Sequence, residues 1–274
     1  SRDVVGLAKN ITVSCVAGKW YASIQTEREV PQPVPAATTA IGIDVGIARF
    51  ATLSDGSFIA PLNSFKKHQQ RLARYQRRMS RKVKFSSNWK KEKAKVQKVH
   101  SQIANARKDF LHKTTTAISQ NHALVCIEDL QVRNMSRSSK GNSEQHGKRV
   151  KQKAGLNKAI LDQGWGEFRR QLGYKMAWAG AILLAVPAHH TSQTCPCCGH
   201  VAKENRLTQA KFVCVDCGHA ENADVVGAIN VLERGQRLLA CGEDGSGRGR
   251  KTRAKPASVK QEPTEATMHE VSHA

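Results

Sequence analysis

An α/β domain, a mixed sheet flanked by helices, is the fold this 274-residue chain predicts, and three observations predict it. Short β-branched apolar runs at 40–46 and 123–130 have the length of buried strands, and each contains an acidic residue near its end. Long stretches of helical apolar periodicity separate them. In the last third, two cysteine pairs interrupt the pattern with the spacing of a small inserted metal module.

Taken in order, residues 9–27 alternate apolar and polar side chains around Ala17-Gly18, the pattern of a β-hairpin. Residues 1–29 are therefore expected to form a small β unit. Pro31, Pro33 and Pro35 break regular structure, so 30–39 reads as a linker. The main domain is expected over 40–193 and 219–240. It opens with a strand through Gly42-Ile43-Asp44-Val45-Gly46, where the two glycines permit close approach of another chain to Asp44. Phe50–Leu53, a turn at Asp55-Gly56 and Phe58-Ile59 extend it as an antiparallel meander. Between 64 and 113, Leu72, Tyr75 and Met79, then Val96, Val99, Ile103, Ala106 and Phe110, recur at helical spacing on either side of Phe85-Ser86-Ser87-Asn88, predicting a helical hairpin. Residues 123–130 form the next strand, with Glu128 facing opposite to Ile127 and Asp129 facing away from Glu128. The polar stretch 131–155 reads as a mobile basic loop or lid. One helix is expected from 158 to 180, a strand from 181 to 187, the metal module over 194–218, and a short helix from Asp224 ended by Gly235. The tail, 241–274, lacks periodicity and is expected to be disordered.

The chain has 44 Lys+Arg against 22 Asp+Glu, a formal net charge of +22. Such an excess predicts a polyanionic partner and salt-dependent binding, with nucleic acid the natural candidate. The segment 64–113 holds 17 of these cations with only Glu92 and Asp109 opposing them. A face of nearly one sign repels itself unless phosphates neutralise it, which points to Lys67, Arg71, Arg74, Arg78, Arg81 and Lys82 as nucleic-acid contacts. No apolar run is long enough to span a membrane and no signal sequence opens the chain, so a cytoplasmic, nucleoid-associated protein is expected, with no membrane partner and no small-molecule substrate. Ser1 in place of Met suggests that the chain does not begin at its natural start.

Cys195-Pro196-Cys197-Cys198-Gly199 and Cys214-Val215-Asp216-Cys217-Gly218 each read as Cys-x-x-Cys-Gly, and together they have the spacing of a four-thiolate zinc ribbon. Cys197 is an alternative to Cys198, although only Cys195 with Cys198 keeps two intervening residues and the following glycine. Cys15, Cys126 and Cys241 are scattered singly, in keeping with a reducing compartment. Asp44 on the first strand, Glu128 at the end of another and Asp224 at the start of a late helix can converge at one edge of the sheet. There they would hold a pair of Mg²⁺ or Mn²⁺ ions about 3.5 to 4 Å apart for phosphodiester hydrolysis. Asp44 and Asp224 also have simpler readings, as a turn cap and as a carboxylate in a helix's first turn.

These residues resemble a known family. Gly42-Ile43-Asp44-Val45-Gly46 with Ala51-Thr52, Ile127-Glu128-Asp129-Leu130 with Asn134-Met135, Thr191-Ser192-Gln193-Thr194-Cys195 with the ribbon, and Asn222-Ala223-Asp224 with Ala228-Ile229-Asn230 are similar to the ordered RuvC-type motifs of the OrfB/TnpB proteins of bacterial insertion sequences, related to type V CRISPR nucleases. The resemblance implies an RNase H-like (RuvC-type) mixed sheet with a basic helical hairpin insertion and an inserted four-Cys zinc ribbon. It implies a metal-dependent DNA endonuclease with DNA and a transposon-derived guide RNA as partners. Asp44, Glu128 and Asp224 would be the catalytic metal ligands, and Cys195, Cys198, Cys214 and Cys217 the zinc ligands. Residues 1–29 would be the remnant of an N-terminal wedge-like domain, the chain being truncated there. Val226 and Gly227 stand where the third motif usually has Asn and Ala, which predicts a missing polar contact behind a metal-binding carboxylate and reduced activity. Two other readings stay open: a catalytically weakened nucleic-acid-binding remnant, and an unguided nuclease acting on RNA/DNA hybrids or branched DNA.

Overall fold

Runs of consecutive buried residues, Ile41–Ile43, Ala51–Leu53 and Val125–Ile127, set the central sheet. Five strands, β3 (Ala40–Val45), β4 (Ala51–Leu53), β5 (Phe58–Ile59), β6 (Leu124–Glu128) and β7 (Ile182–Val186), lie in the order β5-β4-β3-β6-β7. β3, β6 and β7 are parallel, with Ile43 opposite Ile127 and Glu128 opposite Val186, while β4 and β5 return antiparallel as the meander expected from sequence. The structure is a computed structural model that describes residues 3–241 and the backbone of 264–267.

Parallel neighbours require long crossovers, and helices supply them. α1 (Ser64–Ser80) and α2 (Ser87–Asn121) connect the meander to β6; α3 (Val132–Met135), α4 (Val150–Gln163) and α5 (Trp165–Trp178) connect β6 to β7; α6 (Ala223–Ala240) ends the domain. Side-chain alternation divides the sheet into two faces. Ile41, Ile43, Val125 and Ile127 point to one face and join Phe50, Leu111, Phe168, Leu172 and Met176 in the main core. Each large apolar side chain buried there contributes about 1.5–3 kcal/mol. Gly42, Asp44, Cys126, Glu128 and Val186 occupy positions of the opposite parity, and on that face Cys126 and Val186 pack with Val231 of α6.

Gly42 has a specific reason to be glycine. A Cβ added there would stand 2.1 Å from the Ala228 carbonyl oxygen and 2.8 Å from the Leu232 backbone nitrogen, so α6 lies directly on bare strand backbone. One strand over, Gly235 makes room for a side chain instead, since its Cβ would fall 2.1 Å from Cys126 Sγ. Gly235 therefore does not end the helix as expected from sequence; α6 runs through it to Ala240 because the missing side chain is a packing requirement, not a stop.

Other boundaries also differ. The single helix expected over 158–180 is two, broken at Gly164, whose φ of 75° lies in the left-handed region that ends α4 and starts α5. Apolar periodicity continues across this break, which is why it was hidden. The basic loop expected at 131–155 is only partly irregular: α3 lies within it, and α4 begins at Val150. The second helix of the basic hairpin extends past 113 to Asn121. Most of the tail expected to be disordered lies outside the described residues; Thr264–Thr267 forms a strand, β10, antiparallel to β2 (Lys19–Glu27).

The described residues divide into two compact units, one comprising 3–32, 65–106 and 264–267, the other 33–64 and 107–241. In the first, β1 (Leu7–Val16) and β2 form the expected hairpin, turning on Ala17 and Gly18, both with positive φ. Also in it, Leu72 of α1 packs with Val96, Val99 and Ile103 of α2, supported by Phe65, Tyr75 and Met79. Ala106 is exposed rather than on this apolar seam. In the second unit, α2 buries Leu111 and Ile118 in the main core, and Lys175 of α5 donates to the His112 carbonyl and to Thr115 and Thr116 Oγ1, each at 2.8 Å.

Gly42→Ala is expected to lower stability by about 1–3 kcal/mol, because backbone cannot yield as a side-chain end can. Urea unfolding followed by circular dichroism checks this: an unchanged midpoint with an unchanged slope would contradict the close approach of α6 to β3.

Candidate metal and nucleic-acid site

Asp44 and Glu128 lie one residue beyond the paired Ile43 and Ile127, at the carboxyl ends of adjacent parallel strands. Open α/β sheets place their sites at this end. Asp224 arrives from the first turn of α6, where Asn222 caps the helix by accepting the Asp224 N–H at 3.0 Å. Because α6 sits flush on Gly42, its amino-terminal turn reaches the same sheet edge. A Cβ added at Gly227 would come 3.0 Å from Asp44 Oδ2, so Asp44 lies directly beneath α6.

The electrostatics record this convergence. Burial, then the charges of Glu128 and Asp224, raise the Asp44 carboxyl from 3.8 to about 7, against a smaller lowering by Arg206. Burial also raises Glu128, opposed by a hydrogen bond that Thr191 Oγ1 donates to Glu128 Oε1 at 2.6 Å and by the charges of Arg234 and Arg206. Asp129, as expected, faces away and pairs with Arg169 on α5. Glu128 and Asp224 are thus both within coulombic reach of Asp44. The three are not closed into a cage: among the described residues, the four ribbon cysteines are the one group of three or more ligand side chains with ligand atoms all within 4.8 Å.

In that ribbon, between β7 and α6, β8 (Lys211–Val213) and β9 (Ala220–Asn222) pair antiparallel. Cys195 and Cys217 sulfurs lie 3.6 Å apart, as do those of Cys198 and Cys214. Gly199 and Gly218 both adopt positive φ, 76° and 75°, folding each Cys-x-x-Cys turn under its sulfurs. Backbone N–H groups of Cys217 and Asp216 help pull the Cys214 thiol down to about 6. All eight cysteines are free, and the cluster includes Cys198 and leaves out the exposed Cys197. The donor set fits a structural zinc ion.

Several residues of the site had no assigned part in the sequence reading. Arg206, in the ribbon, places its guanidinium 3.8 Å from Asp224 Oδ1, and nothing local in the sequence marked it. Asn230 Nδ2 donates to the Thr191 and Thr194 carbonyls at 2.7 and 2.8 Å, fixing the turn that holds Thr191 against Glu128. Both residues belong to motifs quoted above, which was their only signal. Val226, where a polar residue was expected, is fully buried with Cys195, Phe212, Cys214 and Ala223, so apolar packing of the ribbon on α6 takes the place of the missing polar contact.

Of the six basic residues singled out, Lys67, Arg74, Arg78, Arg81 and Lys82 are exposed along α1 and the turn after it. Arg71 is half-buried and bonds Gln102 on α2, bracing the two helices. No helix among the described residues is long and apolar enough to cross a membrane.

A mixed sheet with flanking helices, a helical insertion, acidic residues gathered at the carboxyl ends of its parallel strands and a four-Cys ribbon inserted before the last helix define an RNase H-like domain of RuvC type. Residues 23–139 match the family model OrfB_IS605, described as "Probable transposase", and residues 165–231 match the TNB domain of Cas12f1-like proteins. The chain is 57% identical over 266 residues to the "Putative RNA-guided DNA endonuclease InsQ" of Escherichia coli (strain K12), covering 97% of this chain and 64% of that protein. It is 38% identical over 252 residues to a "Putative RNA-guided DNA endonuclease" of Streptomyces pristinaespiralis, covering 92% and 58%. A solved Cas12f1-sgRNA-target DNA complex aligns with a TM-score of 0.46 and 19% identity over 81% of this chain and 55% of that one. The chain belongs to the OrfB/TnpB family, and it spans less than two thirds of the length of these two curated relatives.

Asp44 holds its proton more tightly folded than unfolded, so its contribution favours folding at low pH and is lost as pH rises from about 4 to about 7. Without divalent ions, Asp44→Asn is expected to raise the melting temperature by on the order of 5 °C at pH 8 and by less at pH 5. Calorimetry at both pH values tests this; an equal shift at both would deny Asp44 its raised pKa.

Proposed function

We propose that this chain is the catalytic portion of a metal-dependent DNA endonuclease of a mobile element, directed to its target by a transposon-derived RNA. The observation that supports this best is the meeting of Asp44, Glu128 and Asp224 at one sheet edge, where burial first, and then the charges of Glu128 and Asp224, raise Asp44 to about 7. Carboxylate oxygens gathered around a buried Asp44 are suited to a hard cation, Mg²⁺ or Mn²⁺. These three residues would hold the ions, which when bound supply water activation and stabilisation of the leaving oxygen in phosphodiester hydrolysis.

The rest of the site serves that arrangement. Thr191 holds Glu128 in one orientation, and Asn230 holds Thr191. Arg206 offsets part of the acidic charge in the protein alone and would be available to a phosphate oxygen once cations occupy the carboxylates. Zinc on Cys195, Cys198, Cys214 and Cys217 would fold the ribbon that presents Arg206 and abuts the start of α6. Exposed cations of α1 would follow a nucleic-acid backbone through phosphate contacts, leaving sequence to the paired RNA. The relatives' names and the net charge of +22 point the same way.

The decisive test isolates the protein with its copurifying RNA, sequences that RNA and presents a matching DNA target with Mg²⁺. Wild type is expected to cut, and Asp44→Ala to lose about 10³-fold or more in rate while binding RNA as before. Undiminished cutting by that variant would remove Asp44 from the mechanism. Separately, titrating the thiols with a mercurial is expected to release one equivalent of zinc and to change the near-UV circular dichroism around Phe212; no zinc, or no spectral change, would argue against a structural ion.

A further inference from the structure

The turn of the basic helical hairpin bears an aromatic pair that the proposed mechanism does not use. Ser86 caps α2, its Oγ accepting the Trp89 N–H at 3.2 Å. Just before it, Phe85 has a φ of 70° and is 65% exposed, beside Val83 at 80%. A bulky residue in the left-handed region is strained, whereas glycine would occupy it freely. Phe85 is not held there by the core: the apolar seam between α1 and α2 is built from Leu72, Val96, Val99 and Ile103 and does not include it. Instead its ring meets Trp89 edge to face, with centroids 5.4 Å apart.

Cations surround the pair. Lys84 Nζ lies 5.1 Å from the Phe85 centroid and Lys93 Nζ 5.2 Å from the Trp89 centroid. Arg81, Lys82, Lys90 and Lys91 are exposed nearby in sequence, and the one acid between 81 and 93, Glu92, is paired with Lys95 at 2.7 Å. An exposed Phe85 ring braced by a half-buried Trp89, within a field of one sign, suits a ligand that offers a π-face and a negative charge in the same repeating unit.

We propose that the Phe85–Trp89 tip is a stacking site for an unpaired base of single-stranded RNA, with Lys84 and Lys93 on the adjoining phosphates. A duplex conceals base faces along its length, so the tip fits an unstacked nucleotide better than the backbone track assigned to α1. The exposed Ser87 and Asn88 beside the rings add neutral donors and acceptors suited to a 2′-hydroxyl, which favours RNA over DNA. This inference rests on the reading of the helical hairpin as a nucleic-acid surface.

The test uses the full chain and a short oligouridylate carrying one 2-aminopurine, whose fluorescence falls when it stacks on a ring. Wild type is expected to quench it. Phe85→Leu keeps an apolar, equally strained residue and should bind about tenfold more weakly with the quenching lost, at an unchanged salt slope. Phe85→Trp should restore both. Wild-type affinity and quenching in Phe85→Leu would overturn the stacking site while leaving the nuclease proposal standing. Failure of wild type to bind the oligonucleotide at all would count against the nucleic-acid reading of the hairpin as well. Equal or tighter binding of the DNA counterpart, with the same Phe85→Leu penalty, would overturn the assignment to RNA.

Discussion

The seating of α6 on the bare backbone of Gly42 is the constraint from which the site follows. With the Ala228 carbonyl oxygen 2.1 Å from where a Cβ would be, the helix axis is as near β3 as two backbones allow. That closeness has two consequences at the helix's amino end. Asp224 is brought to the sheet edge that already holds Asp44 and Glu128, and Gly227 rests against Asp44 itself. The contact also explains the unusual cost that Asp44 bears: it is covered by helix on one side and faced by like charge on the other. Further along α6, Gly235 makes room for the Cys126 side chain.

The ribbon joins this arrangement through apolar packing. Cys195, Cys214, Phe212, Ala223 and Val226 form one buried cluster, so the Cys-x-x-Cys turns and the first turn of α6 share a small core. The cysteine module thereby becomes a positional reference for Asp224 and Arg206. Val226, read from sequence as a loss, has a clear physical part here: a polar side chain at a fully buried position between two thiols and a phenyl ring would need partners that the cluster does not supply. The hydrogen bond that orients Glu128 comes from Thr191, on the turn entering the ribbon, instead of from α6.

How far the sequence was legible depended on the range of the interaction concerned. Strands with β-branched runs, the meander turn at Asp55-Gly56 and the Cys-x-x-Cys turns are local patterns, and all stand in the structure; the helical hairpin seam stands without Ala106, which is exposed, and Phe110, which packs in the main core. The facing of Glu128 away from Ile127 followed from period-two alternation alone. What failed were boundaries set by tertiary contact. Gly164 divides a helix because its backbone turns left-handed, while Gly235 continues one because a neighbouring strand needs its Cβ absent; sequence offers no means of telling these apart. Arg206 was invisible for the same reason. Its partner is 18 positions away across the ribbon, and only the folded module makes them neighbours.

The charge distribution gives these parts a common logic. A chain with twice as many basic as acidic residues attracts a polyanion over much of its surface, yet the sheet edge concentrates acids and would repel the very phosphate that the rest attracts. Water cannot screen that repulsion well, because Asp44 is largely buried. Two ways of relieving it are available: protonation, which the rise to about 7 already favours, or divalent cations, which compete with the proton for the same oxygens. On the proposed function, a phosphodiester would approach in the second state, since cations would neutralise the carboxylates and offer the phosphate a ligand site. On that reading binding and cutting would be separable: exposed cations along α1 would hold nucleic acid whether or not the acidic edge is filled, and only the filled edge would admit the scissile group.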